Sequence, residues 1–252
     1  MLLKKDCVLA INEWETARKN YQTVKSLISP KSVFKFDGDA LSWFAQNSAN
    51  AYFHAYFGVF NSEFLMIVVP LDQLGREVNL LSYLAVPLSP LTENVVLREV
   101  EVVKKVRETT ISANLSISSV REEIQSPFIS EPLIGISDSV ERIRLWSNQC
   151  LDWFYYECST FEGARVFKTF NVNSVDLVNG NPNVSKVYCF FGFRESFVQN
   201  MQVPDLIFVS VNGSSLQENY SAPVNDPVTI MADFSSPCPP FCGNASDFII
   251  FK

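Results

Sequence analysis

The feature that most limits what this chain can fold into is a weak but extended internal repeat. Val33-Phe34-Lys35 recurs as Val166-Phe167-Lys168, and the residues before each tripeptide keep step, Ala17 with Cys150, Tyr21 with Phe154 and Ile28 with Phe161. After one inserted residue the correspondence runs without a gap from Phe36/Phe170 to Gly58/Gly192, through Asp37/Asn171, Asp39/Asn173, Asn47/Asn181, Ala55/Cys189 and Phe57/Phe191. A third stretch matches Leu65-Met66-Ile67 to Ile207-Phe208-Val209, with the second copy longer around Arg194 to Gln202. A chain that repeats itself over this length is expected to build two units on one plan.

Each unit reads as a helix followed by strands. Ile11, Trp14, Ala17, Tyr21, Val24 and Ile28 recur at spacings of three and four, and Pro30 stops the pattern. Val140, Ile143, Trp146, Cys150, Trp153 and Phe154 do the same between a start signal, Ser137-Asp138, and a stop at Gly163. A short strand follows each helix, near Val33 and near Val166, then a polar turn or short helix near Leu41 and near Val175. An antiparallel pair comes next, Ala51–Phe60 with Phe64–Val69 and Ser185–Phe193 with Leu206–Val211. Gly58 and Gly192 mark a bulge or a close backbone approach. Further strands are expected at Val78–Val86, Val228–Phe234 and Phe248–Phe251.

The fold class that follows is α+β, with two similar helix-then-antiparallel-sheet halves arising from an internal duplication. The halves take residues 1–90 and 137–252, and 91–136 connect them. Within the connection, residues 93–106 are valine-rich and lean to a helix capped by Thr92, with a strand as the alternative. Ser126 to Pro132 reads as an extended linker.

Composition narrows the functional classes. With 47% hydrophobic and 19% charged residues the 252-residue chain is expected to fold. Its longest apolar run, Phe64 to Leu71, is interrupted by Pro70 and is too short to span a bilayer. A net charge of −7 disfavours nucleic acid and anionic lipid as partners, so neither a nucleic acid nor a membrane is expected. Met1-Leu2-Leu3-Lys4-Lys5, followed only by the short apolar stretch Val8–Ile11, does not read as a secretory signal, and the cytoplasm is the expected compartment. There the Asn-x-Ser sequons at Asn114, Asn183, Asn212, Asn219 and Asn244 carry no meaning, and each of the six cysteines defaults to a small buried hydrophobe.

Four groups are candidates for chemistry. His54 is the only histidine, so any triad must use it; no Gly-x-Ser-x-Gly elbow accompanies it, and a packed or surface role is expected. Cys238-Pro-Pro-Phe-Cys242 reads as a rigid proline turn carrying two thiols, with a redox or disulfide pair and a metal site as incomplete alternatives. Asp37-Gly38-Asp39 invites a cation, yet the matching Asn171 and Asn173 keep the short polar side chain and lose the charge, which is what a turn requires. No metal and no cofactor is expected, since no phosphate-binding glycine pattern occurs. Lastly, Trp153-Phe154-Tyr155-Tyr156 lie adjacent on one helix and point in all directions, so Trp153, Tyr155 and Tyr156 form the candidate binding surface.

That surface is expected to meet the other half, a second subunit (a homodimer) or a ligand, in that order. The functional expectation is a non-enzymatic cytoplasmic binding or protein-interaction protein, acting on a protein or small molecule through an aromatic groove between its halves. The alternative is a small hydrolase or thiol-dependent enzyme using His54 or Cys238/Cys242.

Overall fold

The structure, a computed structural model, describes residues 1–95, 104–111, 117–125, 136–177, 184–195, 202–212, 231–232 and 235–239. In chain order these form β1 (Leu2–Leu3), α1 (Lys4–Ala17), α2 (Tyr21–Leu27), β2 (Ser32–Phe36), α3 (Gly38–Asn47), β3 (Tyr52–Phe60), β4 (Glu63–Pro70) and β5 (Ser82–Pro90). Next come β6 (Lys104–Ile111), β7 (Ile117–Gln125), α4 (Ile136–Phe161), β8 (Thr169–Asn173), a 3₁₀ turn at Ser174–Asp176, β9 (Val184–Glu195), β10 (Gln202–Asn212), β11 (Met231–Ala232) and β12 (Ser235–Cys238). The fold is α+β, as the sequence implies.

Ten strands share one sheet in the order β11-β10-β9-β2-β5-β4-β3-β8-β12, with β1 added on β5, while β6 and β7 pair as a separate hairpin. Every pairing in the large sheet is antiparallel. The sheet is nearly barrel-shaped, because its ends approach each other. Ser235 on β12 donates its hydroxyl to Asp205 on β10 at 2.7 Å and accepts the Leu206 amide at 2.9 Å, and Arg194 on β9 donates to the Ser235 carbonyl at 2.8 Å.

Strand alternation sorts the side chains into an inner and an outer face. Phe53, Ala55, Phe57 and Val59 of β3 enter the main core with Phe34, Phe64, Phe170, Phe191 and Phe208, while Tyr56 lies under α1 with Cys7, Ala10, Ile67 and Tyr83. Phe57 sits at the centre, with the rings of Phe34, Phe64, Phe167, Phe170 and Phe191 between 5.0 and 5.9 Å away. Such pairs add to the stability that ring burial itself supplies. Gly58 and Gly192 are places of close approach and not bulges. A Cβ on Gly58 would lie 2.8 Å from the Ala10 Cβ, and one on Gly192 would lie 3.2 Å from the Arg142 Cβ.

Several expectations are corrected. The first helix is two, because Asn20 caps a new one by accepting the Thr23 amide at 3.1 Å. Val166-Phe167-Lys168 is not a strand but the turn before β8. Gly163, at φ 69°, ends α4 as expected, and the chain then folds back through the Val166 amide bonding to the Gly163 carbonyl. The Phe167 carbonyl is held in that turn by the Trp14 indole N–H at 2.9 Å. Residues 78–81 precede β5, with the Tyr83 hydroxyl accepting the Leu80 amide and donating to the Val78 carbonyl. Of residues 93–106, Lys104 to Val106 belong to β6, the strand alternative, paired with Glu123–Gln125, and 96–103 lie outside the described residues. Of Val228–Phe234 only Met231–Ala232 are described, as β11; the 126–132 linker and Phe248–Phe251 lie outside the described residues. Among the described residues no helix is long and apolar enough to cross a membrane.

Candidate functional site

His54 projects from the outer face of β3, where the 71–81 segment folds over it. Its Nδ1 lies 2.7 Å from Glu77 Oε1, and the Tyr56 hydroxyl donates to the same oxygen at 2.5 Å. The side chains of His54 and Glu77 are 5% and 0% exposed. Burial, then the Glu77 charge, pushes the Tyr56 hydroxyl far above its ordinary range, so it stays protonated and donates. Three polar groups that satisfy one another under cover tie a loop to a sheet, and they offer a substrate no approach. Glu77 went unread in the sequence because it sits in an ordinary polar loop, and only the fold carries it to His54.

The cysteines divide in two. Cys7, Cys150, Cys158 and Cys189 are free and buried. Burial lifts the thiols of Cys7 and Cys150 to about 12 and Cys189 well above its ordinary value, which removes thiolate character. Cys238 is disulfide-bonded, not a free thiol in a proline turn, and Cys242 lies outside the described residues. Asp37 caps α3 by accepting the Ala40 amide at 2.9 Å, and Asn173 caps the 3₁₀ turn by accepting the Val175 amide at 3.0 Å. Among the described residues no three His, Cys, Asp or Glu side chains gather as a metal site would require.

The aromatic run on α4 does not share one face. Trp153 is half-buried against Phe154, Phe193 and Phe167, with centroids 4.9, 5.9 and 6.4 Å away. Tyr155 and Tyr156 are 59% and 53% exposed. Tyr155 meets Tyr21 edge-on at 5.3 Å, and Tyr156 meets Phe161 at 5.8 Å.

A cleft of about 190 Å³ opens where β2, α4 and β9 meet. Pro30, Lys31, Ser32 and Val33 form one side with Leu91, and Ile143, Trp146, Ser147, Phe190 and Phe191 form the other. Pro30 lies beyond α2, and the Ser32 amide bonds back to the Ser29 carbonyl at 3.1 Å to start β2. Pairing of Phe34 with Cys189 then brings Val33 beside Phe190. Trp146 stacks on Phe191 at 4.6 Å, and the Ser147 hydroxyl donates to the Pro30 carbonyl at 3.4 Å, joining α4 to the turn. Arg142, one turn earlier, fixes the helix further by donating to the fully buried Asp205 at 2.9 Å. Burial pushes the Asp205 carboxyl upward, opposed by the charges of Arg194 and Arg142 and by the Ser235 hydroxyl.

Among the described residues the indole N–H groups of Trp146, 1% exposed, and of the neighbouring Trp153 have no acceptor, unlike that of Trp14. On the neighbouring surface Lys35 and Lys186 both donate to Glu93, at 3.4 and 3.0 Å, together with the Tyr188 hydroxyl. Hydrogen bonds from Tyr188 and Lys186 hold the Glu93 carboxyl at about 2. Lys31 has no ion-pair partner among the described residues. The sequence pattern assigns Trp146 to the core; the cleft arises from the β2–β9 pairing between distant segments, which no local signal announces. No family model matches the chain, and no curated protein and no solved structure is similar to it.

Proposed function

We propose that the chain is a non-enzymatic binding protein whose working surface is the cleft between β2, α4 and β9. The observation that carries this is the lining itself: apolar walls with Lys31 and two serines and, among the described residues, no His, Cys, Asp or Glu to serve as acid, base or thiol nucleophile. The hydrolase or thiol-enzyme alternative needs His54 in contact with solvent, and its ring is covered and bonded to Glu77. It also needs a free thiol at Cys238, which is oxidised. Titration with 2-phenylethanol, a neutral single-ring probe, followed by ligand-observed NMR, tests the reading. Saturable binding that disappears in Ser147→Phe, with the unfolding midpoint kept, supports it; no saturable binding, or binding that survives the substitution, overturns it.

The same reading takes residues 1–90 and 137–252 as copies of one unit joined by 91–136. Strand pairing supports it, since β3-β4-β5-β2 in the first is answered by β9-β10-β11 and by β12-β8 in the second, and each half gives one strand to the other, β2 to β9 and β8 to β3. Phe36 pairs with Val187 and Val172 pairs with Phe53. On this reading Phe36 corresponds to Val172, and the cap Asp37 to the cap Asn173, two residues beyond the register of the sequence repeat. The cleft then lies on the seam between copies, walled by both. Tyr155 and Tyr156 are the surface offered to a second subunit. Four free buried thiols favour the cytoplasm, against which stands the bond at Cys238, seldom kept in reducing compartments.

A further inference from the structure

We infer that the outer face of β2, β9 and β10 is a docking surface for a partner's peptide segment carrying a carboxylate with an apolar residue two positions to either side, and that the chain's own residues 91–95 occupy it in this structure.

Strand register assembles the face. Lys35 lies opposite Tyr188, and Val209 and Ile207 of β10 lie opposite Tyr188 and Phe190, so these side chains share one side of the sheet. Lys186, two residues before Tyr188 on β9, joins them. Residues 91–95 leave β5 and cross this side. Leu91 stands at the cleft wall with Val33, Glu93 Oε1 accepts from Lys35, Lys186 and the Tyr188 hydroxyl, and Val95 packs against Ile207 and Val209. An apolar, acidic, apolar order at every second residue thus meets apolar, cationic and apolar ground on the sheet.

Two observations mark the segment as an occupant rather than a wall. Leu91 to Asn94 are exposed, and among the described residues side chains alone hold 91–95 to the face, with no backbone hydrogen bond. The segment runs from the large sheet toward the separate β6–β7 hairpin, so lifting it away breaks no strand pairing. The groups beneath it belong to the sheet and need an anion. Tyr188 is 2% exposed, and without Glu93 its hydroxyl and the two ammonium groups lose their shared acceptor. A carboxylate from another chain, flanked in the same way, replaces that acceptor and covers the same apolar ground. Lys35, Lys186 and Tyr188 lie outside the lining of the cleft, so this surface and the cleft stand or fall separately.

A fluorescein-labelled peptide with the sequence of residues 90–96, titrated with the chain at neutral pH and read by anisotropy, tests this. The tethered segment competes at an effective concentration on the order of millimolar, so the parent should bind the peptide weakly. Glu93→Gln takes the charge from the tethered segment and leaves the face intact. It should bind the peptide about tenfold or more tighter than the parent, as the loss of charge-assisted hydrogen bonds in the competitor implies. Lys186→Gln also loosens the segment but damages the face, and should bind no tighter than the parent. A peptide with glutamine at the Glu93 position should lose about tenfold or more on the Glu93→Gln chain. Thermal unfolding midpoints of both variants check folding. Binding to Glu93→Gln no tighter than to the parent, equal gains in the two variants, or indifference to the glutamine peptide overturns the inference and leaves Glu93 a structural contact. A parent that is dimeric, and monomeric once Glu93→Gln is made, overturns it in favour of a second copy on this face.

Discussion

Trp14 and Trp146 provide a direct measure of what a buried indole N–H contributes. Both rings are 1% exposed and both face the sheet from a helix. Replacing either by Phe removes the same part of a buried ring, at a cost of roughly 1–2 kcal/mol from lost burial and the space left behind. Beyond that the two differ. Trp14→Phe strips the Phe167 carbonyl of a 2.9 Å hydrogen bond in a buried turn, adding about 1–3 kcal/mol for the stranded acceptor. Trp146→Phe breaks no hydrogen bond among the described residues, where its N–H has no acceptor. The expected costs are therefore about 2–5 kcal/mol for Trp14→Phe and about 1–2 kcal/mol for Trp146→Phe, the sums of these terms. Urea unfolding of both variants and the parent at pH 7, compared at constant m-value, provides the measurement. Packing alone predicts the opposite order, since Trp146 stacks on Phe191 at 4.6 Å and also meets Phe193 and Phe154 at 5.0 and 5.7 Å. If Trp146→Phe proves as costly as Trp14→Phe or more so, ring contacts decide and the orphan N–H is energetically irrelevant.

Gly163→Ala should destabilise by well over the ~1–2 kcal/mol of left-handed backbone alone, because its Cβ would collide with the Arg18 carbonyl, 2.8 Å from the carbon. Gly75→Ala, at φ 78° with open space around it, should cost only the backbone part, and equal unfolding midpoints for the two would contradict the steric account. Glu157 is buried with its carboxyl pushed above the ordinary 4.5, chiefly by burial, against the nearby Arg165. The folded state therefore holds this proton more tightly than the unfolded one, and its contribution is lost as pH rises above about 4.5 toward the raised value. Glu157→Gln should flatten that fall in thermal midpoint, and an unchanged slope would refute it. The free thiols Cys7, Cys150, Cys158 and Cys189 should label with a thiol reagent only after unfolding; peptide mapping that finds any of them modified in native protein counts against their burial.

Elements governed by neighbours in sequence were legible. The amphipathic faces around Trp14 and Trp146, the strand pairs β3–β4 and β9–β10, and the stop at Gly163 all follow from local periodicity and backbone preference. The turn role of Asp37 was visible in the loss of charge at the matching residues, though the capping Asn is 173. What stayed hidden depends on contacts made across the chain. The break at Asn20 is a capping choice within an unbroken apolar pattern, and Phe167 is drawn from strand into turn by Trp14. The cleft is a product of β2 lying against β9, so its lining could not be read from either segment alone. Adjacency in sequence groups Trp153, Tyr155 and Tyr156, whereas α4 turns Trp153 inward and the two tyrosines outward.

The pairing of β2 with β9 and of β8 with β3 has a consequence for how the molecule comes into being. Phe34 waits for Cys189, and Ala55 for Phe170, so strands made early stand with bare hydrogen-bonding edges until the far end of the polypeptide has been synthesised. Ribosome-bound nascent chains are thereby exposed to promiscuous edge-to-edge association, and closure falls to long-range encounters of the kind that slow folding. Of two fragments severed in the β6–β7 hairpin, the first would keep β2-β5-β4-β3 as an open sheet and the second would hold β9-β10-β11 and β8-β12 as separate pieces, and mixing them should reconstitute what neither assembles alone.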